Sequence, residues 1–252
     1  MSKPTFVLVP GAWHKPETWG PISAKLEAQE YKCVAMTLPS TLGDRNTSLA
    51  DDVSATRELI LAETTQGRNV VVVAHSYGGL LGSSAIKGLS IKDKQDETHG
   101  HVVGIVLIGT GFVITGMGFL EGFDGKPPPI WNMNEETGFT DLIVDARELF
   151  YHDLPQEEGE LWVSKLQNQA WKPFIGEGEQ VYSGWKDVPV WYLITSEDKA
   201  FPPPAQFAMA EMAKSQGADL TVRELDSSHS PMLSRVEETA QILLDAVKAF
   251  TA

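Results

Sequence analysis

A serine, an aspartate and a histidine in this sequence stand where they could carry out nucleophilic catalysis. Ser76, Asp198 and His229 each come shortly after an apolar run that resembles a strand. A serine hydroxyl is a poor nucleophile until an imidazole takes its proton, and a carboxylate must hold that imidazole in the right tautomer. We therefore predict that these residues form a catalytic triad that attacks an acyl carbon.

The turn around Ser76 is the first support for this prediction. Four consecutive valines at 70–73 predict a strand buried on both faces, and apolar residues restart at helical spacing from Leu80. A nucleophilic serine in a G-x-S-x-G turn needs small residues two positions before and after it, because strand and helix pack closely there. Those positions hold Ala74 and Gly78, so the motif departs from the pattern by one methyl group. The alternative interpretation of Ser76 is an ordinary helix-capping serine.

Predicted strands and helices alternate along most of the chain, which indicates an α/β fold with a mostly parallel sheet and helices on both faces. Residues that follow the strands of such a sheet converge at its carboxyl edge, whatever their distance in sequence. The predicted strands are Thr5 to Val9, Tyr31 to Thr37, Val70 to Val73, Val102 to Ile108, Val188 to Ile194 and Leu220 to Leu225. The predicted helices are Pro16 to Glu30, a segment from a Ser48–Asp51 capping box to Thr65, one after Ser76, Ala205 to Gln216, and Val236 to Phe250.

Residues 112–187 break this alternation and contain helix-like segments but no predicted strand. We predict a core of residues 1–111 and 188–252, with residues 112–187 inserted as a mobile helical cap, or lid. The insertion holds 12 of the 22 aromatic residues, which favours a largely apolar pocket. The predicted substrate contacts are Phe119, Trp131 and Trp162 in the cap, with Trp13 and His14 in the loop after the first strand.

Two other acids compete with Asp198 for the role of triad carboxylate. Glu197 precedes it directly, and Asp226 lies three residues before His229. We prefer Asp198 because the second acid before a proline-rich helix start lies deepest in the turn. Acyl transfer also needs donors for the developing oxyanion, and the backbone N–H groups of Tyr77 and Ala12 are the candidates.

Composition narrows the class of protein further. The 252 residues carry a net charge of −14, which argues against a nucleic-acid partner because such a surface would be basic. The single cysteine, Cys33, excludes an intrachain disulfide and is predicted to be a small core residue. The first strand begins too early for a signal peptide and no window is apolar enough for a membrane span, so we predict a soluble cytoplasmic protein.

The sequence gives no positive sign of a metal or organic cofactor. His99 and His101 form a His-x-His pair, but no cysteine or acidic residue stands at a recognisable ligand spacing, so we interpret them as part of an exposed loop. We expect a small-molecule ester as the partner, no metal and no cofactor. The sequence does not decide between a monomer and a homodimer.

Four segments together resemble the α/β-hydrolase superfamily. The closest branch is that of the small esterases that include plant methylesterases and hydroxynitrile lyases. The resemblance implies that Ser76, Asp198 and His229 are the triad and that Ala12 and Tyr77 are the oxyanion donors. It departs at Ala74 and at Pro10, where histidine is common in that branch, and neither change removes a catalytic group. The four segments are FVLVPGAWH at 6–14, AHSYGG at 74–79, SED at 196–198 and SHSP at 228–231.

The predicted function is hydrolysis of a carboxylic ester of a small, largely apolar molecule through an acyl-enzyme. One alternative is cyanohydrin cleavage on the same triad. The lyases of the resembled branch carry a lysine directly after the catalytic histidine and a threonine in the first oxyanion loop, whereas this chain has Ser230 and Gly11. The other alternative is a non-catalytic ligand-binding protein on this fold, which the presence of all three triad residue types disfavours.

Overall fold

Six parallel strands form the central sheet of the computed structural model, which describes residues 3–93, 98–176 and 178–252. The strands of the described residues are numbered in chain order, and all except β5 and β6 belong to this sheet. They are β1 (Thr5–Val9), β2 (Cys33–Ala35), β3 (Val70–His75), β4 (Val102–Ile108), β5 (Trp131–Asn134), β6 (Phe139–Leu142), β7 (Val190–Thr195) and β8 (Leu220–Leu225).

The order of strands across the sheet is β2-β1-β3-β4-β7-β8. The chain moves from β1 in one direction to β2 and then from β3 in the opposite direction, so the order reverses between β1 and β3. Ligands of open α/β sheets bind outside the carboxyl ends of the strands at such a reversal. The loops after Val9 and after His75 leave the sheet at this point.

Helices lie between most of these strands, and two more follow the last strand. They are α1 (Gly20–Glu27), α2 (Leu49–Thr64), α3 (Gly78–Ala85), α4 (Ala146–Phe150), α5 (Gln156–Ser164), α6 (Pro203–Ser215), α7 (Pro231–Ser234) and α8 (Val236–Phe250). Crossovers between parallel strands are right-handed, so connections that run in opposite directions place α1 and α3 on opposite faces of the sheet. Helix α8 packs against α1, and α2 packs against α3. Among the residues that the structure describes, no helix has both the length and the apolar character that crossing a membrane requires.

Most of the predicted core elements are confirmed. The strands β1 and β8 and the helix α8 have the predicted bounds. The capping box is also present, since the Ser48 side chain accepts from the Asp51 backbone N–H and the Asp51 side chain accepts from Ser48. The predicted helix from Pro16 to Glu30 divides into a 3₁₀ turn at Pro16–Trp19 and α1. The second strand is shorter than predicted because only Cys33–Ala35 pairs with β1.

The prediction that residues 112–187 contain no strand is wrong. Strands β5 and β6 pair antiparallel in a separate two-stranded sheet, so the insertion is not purely helical. The turn between them is closed by Asn134, whose Oδ1 accepts from the backbone N–H groups of Glu136 and Thr137, and by Gly138 at φ 81°. The insertion lies between β4 and β7, which are neighbours in the central sheet. The predicted boundaries of core and cap stay a prediction.

Candidate active site

Ser76 occupies a strained turn directly after β3. Its φ is 53°, in the left-handed region that non-glycine residues rarely adopt. Its N–H donates to the Ile108 carbonyl at 3.0 Å, and its carbonyl accepts from Thr110 Oγ1 at 2.6 Å and from the Gly79 N–H at 2.9 Å. The surrounding structure therefore fixes the backbone of Ser76 in a conformation that it would not adopt alone.

The small residues around this turn are explained by close backbone approach. A Cβ at Gly78 would lie 2.5 Å from the Pro10 carbonyl oxygen, so any larger residue there would collide with the loop after β1. The methyl group of Ala74 is accommodated on the other side by Gly82 of α3, where an added Cβ would lie 3.0 Å from the Ala74 Cβ. The departure from the motif at Ala74 is thus matched by a glycine on the facing helix.

His229 and Asp198 form a buried hydrogen-bonded pair. His229 Nδ1–H donates to Asp198 Oδ2 at 2.7 Å, which leaves Nε2 of a neutral ring as an acceptor. The other carboxylate oxygen, Oδ1, accepts from the backbone N–H groups of Ala200 and Phe201, both at 2.8 Å. Burial alone would raise the pKa of Asp198, but the charge of His229 and these hydrogen bonds hold that pKa below its usual value. The arrangement suits a carboxylate that orients an imidazole.

The structure distinguishes Asp198 from its two competitors. Asp198 is 3% exposed, whereas Glu197 and Asp226 are exposed to solvent. Asp226 accepts a hydrogen bond from Ser196 Oγ at 2.7 Å, whereas the imidazole of His229 donates to Asp198. Asp198 is therefore the acid that the fold brings to the histidine.

Two buried polar residues that the sequence analysis did not single out complete the surroundings of Asp198. Thr195 Oγ1 donates to Asp198 Oδ2 at 2.7 Å, and Gln206 Nε2 donates to the same oxygen at 3.1 Å. Gln206 comes from α6 and is fully buried. Thr195 closes a strand and Gln206 lies on a helix of ordinary composition, so only the position of Thr195, three residues before Asp198, offered a signal in the sequence.

The end of β4 lies between the serine and the histidine–aspartate pair. Gly109 follows Ile108, to which Ser76 is hydrogen-bonded. A Cβ at Gly109 would lie 3.2 Å from Asp198 Oδ2 and 3.4 Å from His229 Nδ1, and its φ of 53° also favours glycine. The three residues predicted as a triad thus come together around one short stretch of backbone, although they are up to 153 positions apart in the chain.

Two further buried histidines support the loops of the site. His75 Nε2–H donates to the His229 carbonyl at 2.7 Å, and burial lowers the pKa of His75 well below its usual value. His14 Nδ1–H donates to the Ala12 carbonyl at 2.6 Å, and its Nε2 accepts from the Tyr151 hydroxyl at 2.7 Å. Burial lowers the pKa of His14 to about 4, so both rings are neutral near pH 7.

The loop after β1 approaches Ser76 closely. A Cβ at Gly11 would lie 3.1 Å from the Ser76 Cβ. Trp13 has a φ of 64°, and its N–H donates to Gln169 Oε1 at 3.3 Å. The N–H of His14 donates to the Gly11 carbonyl at 3.3 Å. The backbone N–H groups of Trp13 and His14 therefore both donate to other groups of the protein. The predicted donor, Ala12, lies in this loop at the serine.

The predicted substrate-contact residues fall into two groups. Phe119 packs against the Tyr77 ring, with ring centroids 6.5 Å apart, and Trp131 packs at a tilt against Phe174, which itself contacts Tyr77. These aromatic residues of the insertion pack around Tyr77, the residue after Ser76.

The second group is Trp13, His14 and Trp162, which contact other residues of the protein. Both ring nitrogens of His14 are bonded to protein, and its role as a substrate contact stays a prediction. Trp13 is buried, and its Nε1–H donates to the Thr140 carbonyl at 3.5 Å. Trp162 lines a small cavity together with His14 and Tyr151. Trp13 and His14 are therefore both held by residues of the insertion, through Thr140 and Tyr151.

Tyr77 is anchored from the core side by a residue that the sequence analysis did not identify. Its hydroxyl donates to Asp52 Oδ2 at 2.9 Å. Asp52 also accepts from Ser40 Oγ at 2.6 Å and from the Ser40 N–H at 2.9 Å. Burial raises the pKa of Asp52 to about 6, against the opposing effect of these hydrogen bonds. Across the described part of the chain, no group of three or more histidine, cysteine or acidic side chains is placed to hold a metal ion.

A parallel sheet that carries a serine on a strained turn, with a histidine–aspartate pair after later strands in the order Ser, Asp, His, defines an α/β hydrolase. The sequence profile of the Alpha/beta hydrolase family matches residues 6–242. The chain therefore belongs to this family, as the sequence predicted.

Relatives along nearly the whole chain agree with this assignment. An alpha/beta hydrolase of Aspergillus novofumigatus, nvfD, is 30% identical over 250 residues, which are 98% of this chain and 97% of that protein. The structure of polyneuridine aldehyde esterase aligns with a TM-score of 0.76 at 21% identity, over 97% of this chain and 99% of that one. The methylesterase MES16 from Arabidopsis aligns with a TM-score of 0.73 at 20% identity, over 97% and 99%.

Proposed function

We propose that this α/β hydrolase is a serine esterase that cleaves a carboxylic ester of a small, largely apolar molecule through an acyl-enzyme. The observation that carries the proposal is the 2.7 Å hydrogen bond from His229 Nδ1–H to buried Asp198, next to a serine on a strained turn. This bond fixes the tautomer in which Nε2 can accept a proton. The names of the two similar solved structures, an esterase and a methylesterase, support the same reaction class.

In the first half of the reaction, His229 Nε2 takes the hydroxyl proton of Ser76 while Oγ attacks the ester carbonyl carbon. The negative charge that develops on the carbonyl oxygen is stabilised by the backbone N–H groups of Tyr77 and Ala12. The tetrahedral intermediate then collapses, the bond to the alcohol oxygen breaks, and the imidazolium gives its proton to that oxygen. The alcohol leaves and an acyl-serine remains.

In the second half, water replaces the alcohol. His229 removes a proton from the water as it attacks the acyl carbon, and the same donors stabilise the second tetrahedral intermediate. Collapse returns the proton to Ser76 Oγ and releases the carboxylic acid. Throughout, Asp198 holds the imidazole and stabilises its charged form, and no step requires a metal or an organic cofactor.

The aromatic residues that pack around Tyr77 support an apolar substrate. Phe119 and Phe174 both pack against the Tyr77 ring, with centroids 6.5 and 5.0 Å away, and Trp131 extends this cluster through Phe174. Aromatic faces of this kind favour apolar or aromatic groups by contact and by burial. The proposed substrate therefore has an apolar group of modest size on at least one side of the ester.

Hydrolysis is favoured over cyanohydrin cleavage by the residues beside the triad. Ser230 follows His229 directly and is 1% exposed, so the position that would need a cation to hold a departing cyanide carries a neutral hydroxyl. Gly11, next to the Ser76 Cβ, has no hydroxyl to offer to a cyanohydrin oxygen. A purely ligand-binding protein would not need the strained serine or the oriented imidazole.

The decisive experiment is labelling by a fluorophosphonate probe in parallel with assays on p-nitrophenyl esters of increasing acyl length. We expect the wild-type protein to be labelled and to turn over at least one ester, and the Ser76→Ala variant to lose both properties. Ser196→Ala, at an exposed hydrogen bond, is the matched control and should keep both. Labelling that survives Ser76→Ala would overturn the assignment. Serine-dependent cyanide release from mandelonitrile without any ester turnover would replace the esterase with a lyase.

A further inference from the structure

We propose that Asp52 is a positioning residue for the oxyanion hole, because it holds the side chain of Tyr77 and thereby the backbone N–H that follows the nucleophile. The inference rests on the proposed function, since it assumes that this N–H stabilises an oxyanion. It assigns a role in turnover to a carboxylate on α2 that lies 24 positions before the nucleophile in sequence.

The first support is the geometry around the carboxylate. Asp52 is fully buried, and its carboxylate accepts hydrogen bonds from Ser40 and Tyr77. Each of these donors is neutral, and Ser40 and Tyr77 are themselves buried. Burying a carboxylate costs free energy unless its oxygens are well satisfied, and neutral donors compensate for this cost less than a cationic partner would. A carboxylate at this position therefore costs free energy that a purely structural role would not require.

The second support is the position of Tyr77 in the backbone. It directly follows Ser76, whose φ of 53° is strained, and it stands at the start of α3 with φ −51° and ψ −34°. The peptide that joins the two residues carries the N–H of Tyr77. Strained backbone persists only where its surroundings over-determine it. The bond from the Tyr77 hydroxyl to Asp52 anchors the residue at the far end of its ring, which limits rotation of that peptide.

The third support is that the same ring meets the insertion. Phe174 packs edge-on against Tyr77 with centroids 5.0 Å apart, so the ring is held between a carboxylate of the core and an aromatic residue of the insertion. Ser40, the other partner of Asp52, accepts a hydrogen bond through its carbonyl from the Ala170 N–H at 2.9 Å. Both partners of Asp52 therefore contact the insertion. The Asp52 carboxylate, with Ser40 and Tyr77, therefore holds both the insertion and the backbone N–H of Tyr77 in position.

The test is the Tyr77→Phe variant, which keeps the aromatic ring and the backbone N–H but loses the hydroxyl. Loss of an entire oxyanion donor lowers kcat by about 10²–10³. Since the donor here is loosened and not removed, we expect kcat to fall about tenfold with KM within about twofold of wild type. Asp52→Asn should act in the same direction. The double variant should be no slower than the slower single variant, because the two residues act as one unit.

Tyr182→Phe is the matched control, because Tyr182 donates to Asp187 at 2.8 Å in another tyrosine–aspartate pair. It should leave kcat and KM unchanged. All rates are measured per active site titrated with the fluorophosphonate probe, so that a loss of folded protein does not count as a loss of turnover. If Tyr77→Phe keeps a kcat per titrated site within twofold of wild type, the inference is wrong even though labelling of Ser76 upholds the esterase. If the wild-type protein is not labelled at all, the proposed function itself fails.

Discussion

Asp198 and Asp52 are two buried carboxylates at the candidate site, and their hydrogen-bond partners differ. Asp198 accepts from the imidazole of His229 at 2.7 Å, together with two backbone N–H groups. Asp52 accepts from neutral groups, among them the Tyr77 hydroxyl at 2.9 Å. The pKa of Asp198 lies below its usual value, whereas that of Asp52 is raised to about 6.

The comparison teaches that burial alone does not set the charge of a carboxylate in this protein. Both groups lose hydration, and that loss raises the pKa of each. Only Asp198 faces a group that can become a cation, and there the charge interaction and the hydrogen bonds together outweigh burial. Asp198 is suited to stabilise an imidazolium that forms during turnover. Asp52 is suited to hold a hydroxyl in place.

The largest expected effect is that of Asp198→Asn. The amide cannot hold the imidazole in the tautomer that accepts the serine proton, so kcat should fall by about 10³–10⁴. Turnover of a p-nitrophenyl ester measures the loss. Glu197→Gln is the matched control because this exposed acid is the direct neighbour, and it should stay within about twofold of wild type. Equal losses in the two variants would contradict the special role of the buried acid.

The second prediction uses the opposite pKa shifts of the two carboxylates. The pKa of Asp52 rises from 3.8 to about 6 on folding, so the folded state binds its proton more tightly than the unfolded state does. The ionised form then costs on the order of 3 kcal/mol above pH 6, and this cost fades as the pH falls towards 4. Relative to Asp52→Asn, the wild-type protein should gain stability as the pH falls through this window.

Urea unfolding of both proteins at several pH values between 4.5 and 8 measures this difference. Asp198 has the reverse sign, because its lowered pKa contributes stability above the unfolded value of 3.8 that is lost only as the pH falls through the folded value. It therefore adds little slope between pH 4.5 and 8. A difference between wild type and Asp52→Asn that stays constant across the window would show that the pKa of Asp52 is not raised.

How much of this arrangement can be read from the sequence depends on whether the signal is local. The valine run before Ser76 and the capping box at Ser48 are local patterns, and both are confirmed as elements of the structure. The position of Asp198 in its turn was also predictable, because a short loop after a buried strand leaves few places for an acid.

Asp52 and the β5–β6 hairpin depend on contacts between distant segments. Asp52 stands second in a run of two aspartates at the start of a helix, a place where acids are ordinarily solvated. Nothing within the helix marks one of the two as buried. Strand β6 lacks a run of β-branched residues and is held by residues from further along the chain, since the Thr140 N–H donates to the Gln169 carbonyl at 2.8 Å. The asparagine and glycine of the hairpin turn were the usable signal.

A smaller effect is expected from narrowing the space around Asp198. Gly109→Ala would place a Cβ 3.2 Å from Asp198 Oδ2 in a residue whose φ is 53°. We expect kcat to fall about tenfold, equivalent to about 1.4 kcal/mol, because a small displacement of the carboxylate tilts the imidazole. Gly217→Ala is the control, since its φ of 85° brings the same backbone strain into open space. If both variants lose stability but neither loses turnover, the contact with Asp198 is irrelevant to catalysis.

The smallest expected effect is that of Asp226→Asn, which tests a third carboxylate near the same histidine. Asp226 is only three residues before His229, yet it is exposed and accepts a hydrogen bond from Ser196 Oγ at 2.7 Å. An exposed hydrogen-bonded charge contributes little, so the free energy of unfolding should change by less than about 0.5 kcal/mol and kcat by less than about twofold. Urea unfolding and ester turnover measure both quantities. A tenfold loss of turnover would contradict this prediction. It would mean that Asp226, the acid nearer in sequence, orients the imidazole, and not the buried Asp198 that contacts it directly.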